Sequence, residues 1–556
     1  MATHAHAMPA AQKSVLASIA DWATTVDHKK IGILYLGLNF FFFIMAGVMA
    51  LVIRTQLAWS NLKIVDPDRY NELFTMHGTT MIFLVIVPIW AGFANYFLPL
   101  MIGARDMAFP RLNALSFWLL FFSGLVMFSS YFFGAVPNGG WTSYPPLTTK
   151  TYTPGPNIDF WILGLHLGGL SSIFGAINFV VTTINLRAPG MKLMQVPMFV
   201  WSMLVTSSMV LFATPMLTVA ITMLLTDRHF GTQFFVAPPV GTGDPLLWQN
   251  LFWFYSHPAV YIMVVPAMGL VSEVLQTFSR KPLFGYVFIA WSSVAIAVLG
   301  FMVWAHHMFQ VGSSLAVNTF FATMTMIIAV PTGVKIFNWI ATMWGGALKL
   351  DTPMLFAIGF VTMFIIGGIS GVMLGSVPVN WQLHQTYFVV AHIHYVLFGG
   401  SVFGIFAAMY YWLPKITGFM LDERVGKWHF WLMLLGFNLA FFPQHFAGMA
   451  GMPRRIYTYP AGQGWEIWNL LSTLGAYLIA ASVLVFIINF LYSAAKGKTA
   501  GDNPWEAPSL EWATTSPPPD YNFAQIPTVT GMNPLWDAKR EAVAAGDDGH
   551  NGSYGH

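Results

Sequence analysis

Twelve stretches of about 20 or more mostly apolar residues recur along this chain, and no other feature limits its fold so strongly. The hydrocarbon core of a bilayer is about 30 Å thick, a distance an α-helix crosses with ~20 residues. Inside it each backbone N–H and C=O needs a partner within its own segment, which selects helices. The windows fall at 31–53, 75–100, 112–134, 158–185, 195–225, 250–277, 284–309, 317–341, 354–376, 386–414, 427–448 and 466–494. Only 8% of the residues are charged, against roughly 25% in a soluble domain. The expected fold is therefore all-α, a polytopic bundle of about twelve transmembrane helices.

Basic residues set the orientation. With the N-terminus inside, the inner segments hold 17 Lys and Arg, the outer segments seven, and Lys335 lies within a helix. This bias places both termini in the cytoplasm. The net charge of +3 gives no reason to expect nucleic acid as a partner. Residues 1–30 form an N-terminal cytoplasmic segment without a cleavable apolar leader, so the first membrane helix is expected to direct its own insertion. Residues 31–494 form the membrane core. Residues 495–556, rich in Pro, Gly, Asp and Ala, are expected to pack irregularly on partners or to stay disordered.

Cysteine is absent, so any metal must use His, carboxylate or carbonyl ligands. Six histidines, His77, His257, His306, His307, His392 and His394, stand within apolar windows at one depth toward the outer face. Singly, each reads equally well as a hydrogen-bonded helix contact. Six at one level point instead to iron and copper, which neutral imidazole binds. At ~100° per residue, His392 and His394 face opposite sides of one helix and can serve two irons. His77 can pair with one of them in a six-coordinate electron-transfer heme, while the other binds a heme with an open position. His257, His306 and His307 offer three imidazoles for copper, and Tyr261 lies on the same helix face as His257.

These residues sit in runs that closely resemble subunit I of the heme-copper oxidases, in particular the A-type cytochrome c oxidases: FWFYSHPAVY at 252–261, WAHHMF at 304–309, PTGVKIFNW at 331–339, VVAHIHYVL at 389–397, GMPRR at 451–455 and MIGARDMAFPRLNALSFW at 101–118. The resemblance implies that His77 and His394 ligate the low-spin heme a, His392 the high-spin heme a3, and His257, His306 and His307 the copper CuB. It further implies a cross-link between His257 and Tyr261, propionate contacts from Arg454 and Arg455, a formyl contact from Arg54, and Trp141 among the cofactor-binding residues. The implied partners are a subunit II with dinuclear copper, subunit III and small subunits, cytochrome c as donor, dioxygen, and the lipid of a bacterial plasma membrane.

Proton delivery needs hydroxyls or ionisable groups in the apolar helices. Lys335, with Thr332 one turn away, reads as a relay or as a lysine snorkelling to the lipid edge. The resemblance favours a relay, the K pathway of Ser272, Thr332, Lys335 and Tyr261. It also places a D pathway at Asp106 and Asn113, lined by Asn178, Ser171 and Ser172. Three departures from the family pattern stand out. Ala259 replaces the glutamate after His257-Pro258, leaving Tyr255 and Ser256 to act in its stead, as in one branch of the A-type enzymes. Ala114 replaces an asparagine of the D entrance. Gln385 replaces the aspartate beside His384, where the family binds magnesium, and an amide is a weaker ligand than a carboxylate for a hard dication.

The nearest rival is a ubiquinol oxidase of the same superfamily, whose quinol pocket typically carries His and Gln where this chain has Arg69 and Glu72. Nitric oxide reduction is more distant, since such relatives generally lack the Tyr261 and Lys335 features. A twelve-helix carrier suits the buried lysine but has no use for six level imidazoles.

Overall fold

A computed structural model describes residues 14–544, so the chain termini and Lys13 lie outside the described residues. Fifteen helices follow in order: α1 Val15–Ala23, α2 His28–Gln56, α3 Pro67–Ile102, α4 Pro110–Ser129, α5 Asn157–Asn185, α6 Met198–His229, α7 Pro245–Ser279, α8 Tyr286–Gly300, α9 Leu315–Met343, α10 Thr352–Gly375, α11 Val377–Leu383, α12 Tyr387–Thr417, α13 Glu423–Met449, α14 Glu466–Lys496 and α15 Pro534–Ala544. No strand occurs among the described residues. Acidic caps begin several of them: Asp27, Asp66 and Asp422 accept from the main-chain N–H of Lys29, Arg69 and Val425 at 2.7, 2.9 and 3.0 Å, filling the orphan donors of a helix start.

Among the described residues eleven helices are long and apolar enough to cross a membrane, so the chain is an all-α, multi-pass membrane protein. The seventh window differs from expectation. Its helix, α8, has 15 residues and stops at Gly300, about 22 Å at 1.5 Å per residue. A 3₁₀ turn at Trp304–Met308 continues it, so His306 and His307 ride on that turn rather than on the end of a long helix.

Enclosure is uneven. In α7, 89% of the apolar window is buried, against 17% in α9, which makes α7 the central post and α9 a peripheral one. Neighbouring helices pair along their length, α2 with α3, α4 with α5, α6 with α7 and α13 with α14. Two helices unwind into a π-helical turn just after a histidine: α3 over Thr80–Ile86, beyond His77, and α12 over Leu397–Val402, beyond His394. Such wide turns mark functional sites more often than plain helix does.

The stretch after α14 was expected to lie on partners or stay disordered. Through residue 544 it lies on the chain's own inner helix ends. Lys415 Nζ donates to the carbonyls of Asp502, Thr514 and Thr515, Trp505 Nε1 donates to the carbonyl of Tyr411 at 2.9 Å, and Val529 N donates to the carbonyl of Pro189 at 2.9 Å. The tryptophans and leucine of this stretch, Trp505, Leu510 and Trp512, are buried, so apolar burial holds it in place.

Candidate metal centre

One cavity of about 910 Å³ lies within the bundle, and His77, His257, His306, His307, His392 and His394 all line it. His77 comes from α3, His257 from α7, His306 and His307 from the 3₁₀ turn, and His392 and His394 from α12. Pro258, inside α7, removes one backbone donor beside His257, the usual cause of a local opening in a helix.

His77 and His394 oppose each other with ring centroids 6.4 Å apart and planes 11° from parallel. Two metal–imidazole bonds of roughly 2 Å, with the half-depth of each ring, fill that separation. Their outward nitrogens are already engaged: His77 Nδ1 donates to the carbonyl of Ala46 at 2.9 Å, and His394 Nδ1 to that of Val390 at 2.7 Å. That fixes the tautomer and leaves each Nε2 for a metal. Phe441 stacks on His394, centroids 4.1 Å apart.

His392 is held the same way, its Nδ1 lying 3.0 Å from the carbonyl of Gly367 and 2.9 Å from Ser370 Oγ. A Cβ on Gly371 would come within 2.9 Å of this ring, so glycine there makes room for it. Across the cavity, His257 Nδ1 and His306 Nε2 approach His307 Nε2 at 3.2 and 3.1 Å. These three form the sole cluster of three metal-ligating side chains among the described residues. Such spacings suit nitrogens converging on one ion at roughly 2 Å. His306 Nδ1 meets Thr325 Oγ1 at 2.9 Å, and the indole of Trp253 stacks on His307, centroids 3.7 Å apart. His257 Nε2 is buried without a partner, and its ring lies edge-on to Tyr261, centroids 4.8 Å apart.

The cavity also fits large anionic groups. Arg454 and Arg455 line it without an ion-pair partner among the described residues. Burial, with each other's charge close by for Arg454, pulls the Arg454 guanidinium down to about 9, and burial lowers Arg455 as well. Two desolvated cations side by side call for acceptors such as carboxylates. Arg54 donates through Nη2 to the main-chain and side-chain oxygens of Asn469 at 3.0 and 2.9 Å. Its Nε and Nη1 remain buried and unpaired. Trp141 adds a wall, edge-on to Trp253. Gly47, Gly333 and Gly368 line the cavity with open space where a Cβ would stand.

The residues expected on proton routes are brought together only in part. Lys335 is buried, and its Nζ donates to Ser293 Oγ at 2.6 Å rather than to Thr332, whose hydroxyl turns back to the carbonyl of Ile328. Ser272 Oγ accepts from Trp339 Nε1 at 2.9 Å. Tyr255 stacks on Phe83, centroids 6.3 Å apart, and Ser256 Oγ is buried without a partner. Asp106, half-buried, accepts from Met107 N at 2.7 Å, and burial pushes its carboxyl up to about 6. Asn178 bonds to both main-chain groups of Phe109. Asn113 is buried with both amide atoms free. Ser171 joins Tyr35 and Ser116 in a hydroxyl cluster, whereas Ser172 turns back onto its own helix. His384 lies 3.5 Å from the Gln385 amide, and burial, aided by Arg454, lowers its imidazole to about 4.

Sequence reasoning missed Ser293, Ser370, Thr325 and Trp253. Hydroxyls and an indole on apolar helices were the available signal for these. The carbonyl acceptors have none.

A family profile described as "Cytochrome C and Quinol oxidase polypeptide I" matches residues 30–478. Cytochrome c oxidase subunit 1 of Bacillus sp. strain PS3 is 52% identical over 533 residues, covering 96% of this chain and 86% of that protein. The chain belongs to the heme-copper oxidase subunit I family. Quinol oxidase subunit 1 of Bacillus subtilis strain 168 is 46% identical over 525 residues, 94% of this chain and 81% of that protein. A solved heme-copper terminal oxidase dimer shares the fold at a TM-score of 0.72, with 19% identity and 84% of each chain covered. As a heme-copper oxidase subunit I, the chain is a membrane oxidoreductase of the cytochrome c oxidase class, one subunit of a multisubunit respiratory enzyme with heme and copper as cofactors. The carrier reading falls away.

Proposed function

We propose that this chain houses the oxygen-reducing centre and receives electrons from cytochrome c through the dinuclear copper of a partner subunit II. The observation that carries this reading is the meeting, in one cavity, of the opposed rings of His77 and His394, the tethered ring of His392 and the triad of His257, His306 and His307. In it, His77 and His394 hold the low-spin heme a, His392 the high-spin heme a3, and the triad CuB. When bound, these groups supply the electron path and the chemistry that turns dioxygen into water.

The protein's own residues place, neutralise and protonate. Arg454 and Arg455 pair with the propionates beside Trp141, and the free nitrogens of Arg54 meet the formyl group of heme a. His257 turns Nδ1 to the triad and leaves Nε2 unpartnered beside Tyr261, so Nε2 is the atom that would join the Tyr261 ring, each losing one hydrogen as dioxygen takes up the two electrons, and the phenol would supply a proton from Oη. Protons reach the centre through Lys335 on one route. On the other they pass Asp106, Asn113, Asn178 and the Ser171 cluster, and Tyr255 and Ser256 complete it in place of a glutamate. Uptake on these routes is coupled to proton pumping. Magnesium at His384 is a weak site, because Gln385 offers an amide.

Residues 31–494 serve as the oxidase core in a bacterial plasma membrane, with 1–30 and 495–556 on the cytoplasmic side. Subunit III and small subunits complete the complex. A quinol donor is the second reading. Against it, Arg69 and Glu72 bind each other at 2.7 Å, leaving that place without the His and Gln of a quinol pocket. The complex purified with its partners tests both: oxygen consumption with reduced cytochrome c, copper content and extracted heme a support the first reading. Oxidation of quinol alone, with a subunit II lacking Cys and His ligands, would establish the second.

A further inference from the structure

We infer that Asn522 is a positioning residue for proton uptake, a latch that ties the C-terminal segment to the turn carrying Asp106. The inference rests on the proposed role of Asp106 as a proton entrance and adds the device that holds that entrance in shape.

Asn522 is 1% exposed and has φ +61°, a left-handed conformation that Asn tolerates better than most residues. Its neighbours fix which way the amide points. Lys29 Nζ, which can only donate, faces Oδ1 at 2.9 Å. The carbonyls of Ala104 and Arg105, which can only accept, face Nδ2 at 3.0 and 3.1 Å. His28 Nδ1 donates to the carbonyl of Asn95 at 2.6 Å, so the neutral ring has a bare Nε2 that lies 2.9 Å from Asn522 Nδ2 and shares the amide's two N–H groups with the two carbonyls. One side chain thus joins the start of α2, the 103–107 turn and the C-terminal segment. Lys29 Nζ adds a bond to the carbonyl of Asp520 at 3.0 Å.

Asp106 follows the two latched carbonyls directly. Its carboxyl faces Asp27, whose charge raises its pKa, and Lys29, whose charge lowers it, and it accepts from the main chain of Met107 and His28. Asp27, His28 and Lys29 belong to the segment that Asn522 grips, so the latch sets the position of the carboxyl and that of the charges around it. An aspartate at 522 would keep an oxygen for Lys29 and lose the donors to Ala104 and Arg105.

The test uses the purified complex with N522A, N522D and D106N. Proton uptake on mixing the reduced enzyme with dioxygen is followed with an indicator dye, and anaerobic reduction of the heme-copper centre serves as the internal control. The expected result for both Asn522 variants is uptake slowed by roughly 10- to 100-fold, up to the scale of misplacing a reacting group from outside the site. The acid limb of the turnover profile moves to lower pH as the Asp106 carboxyl gains water. Heme spectra and anaerobic reduction stay as in the parent. Unchanged uptake and pH profile in N522A and N522D, with uptake blocked in D106N, would overturn the latch alone. Parental uptake in D106N would overturn the Asp106 entrance and the latch with it. Loss of heme in both Asn522 variants would likewise reject positioning in favour of a purely structural role.

Discussion

Lys335 Nζ and Ser293 Oγ lie 2.6 Å apart, the shorter of two hydrogen bonds that hold this buried ammonium group, the other going to the carbonyl of Ile289 at 3.1 Å. The lysine is thus parked on α8, away from Thr332. Lys335→Met should slow anaerobic reduction of the heme-copper centre by about 100-fold, the lower range for losing a positioned proton carrier. Ser293→Ala removes an anchor worth ~1 kcal/mol and should speed the same step by about fivefold. Stopped-flow reduction measures both, and slowing in Ser293→Ala would show that the serine passes protons instead of holding the lysine.

The two sets of histidines should fail separately. His77→Ala or His394→Ala should abolish the low-spin heme signal in a reduced-minus-oxidised spectrum while copper remains. His257→Ala should do the reverse, losing copper, because removing one of three ligands leaves a pair that holds the ion poorly. Simultaneous loss of both signals from each single change would mean that the six rings form one indivisible site.

Tyr255 and Ser256 directly precede His257, and Ser256 Oγ is a buried hydroxyl with no partner. Tyr255→Phe combined with Ser256→Ala should cut proton uptake and turnover by roughly 10²-fold, with heme and copper content intact. Parental turnover in the double variant would remove these hydroxyls from the route.

Glu511 is fully buried on the turn Leu510–Ala513, with Ser509 and Trp412 bonded to Oε1 and nothing to Oε2. Burial pushes its carboxyl up to about 7. A carboxyl raised by folding holds its proton more tightly in the folded state. Its contribution to stability is therefore full below the ordinary carboxylate range and is lost as pH rises through about 7. Limited proteolysis of the 497–544 segment should quicken between about pH 5 and about pH 9 in the parent. Glu511→Gln should flatten that dependence; an equally steep response in the variant would place the titrating group elsewhere.

The spans and the metal ligands were legible in the sequence for a common reason. Lipid thickness sets the length of an apolar window, and a chain without cysteine has no thiolate to offer iron or copper, which puts the weight on imidazole. What escaped depends on long-range packing. The end of α8 at Gly300 carries no strong local stop signal, since apolar residues continue to Trp304. The stretch after α14 has the composition of a loose tail, yet Trp505 and Trp512 find partners about 90 to 230 residues away in sequence, the carbonyl and ring of Tyr411 and the ring of Phe278. The partner of Lys335 was not legible for the same reason: Ser293 is close only because α8 and α9 pack together.

The wide turns at Thr80–Ile86 and Leu397–Val402 act as phase shifters. Each takes up extra chain between the outer portion of a helix, where an imidazole must meet a flat ring squarely, and the inner portion, where ridges must mesh with grooves. A straight helix would tie these two angles rigidly, ~100° for every residue gained or lost. Separating them lets the two ends of one helix answer to different demands.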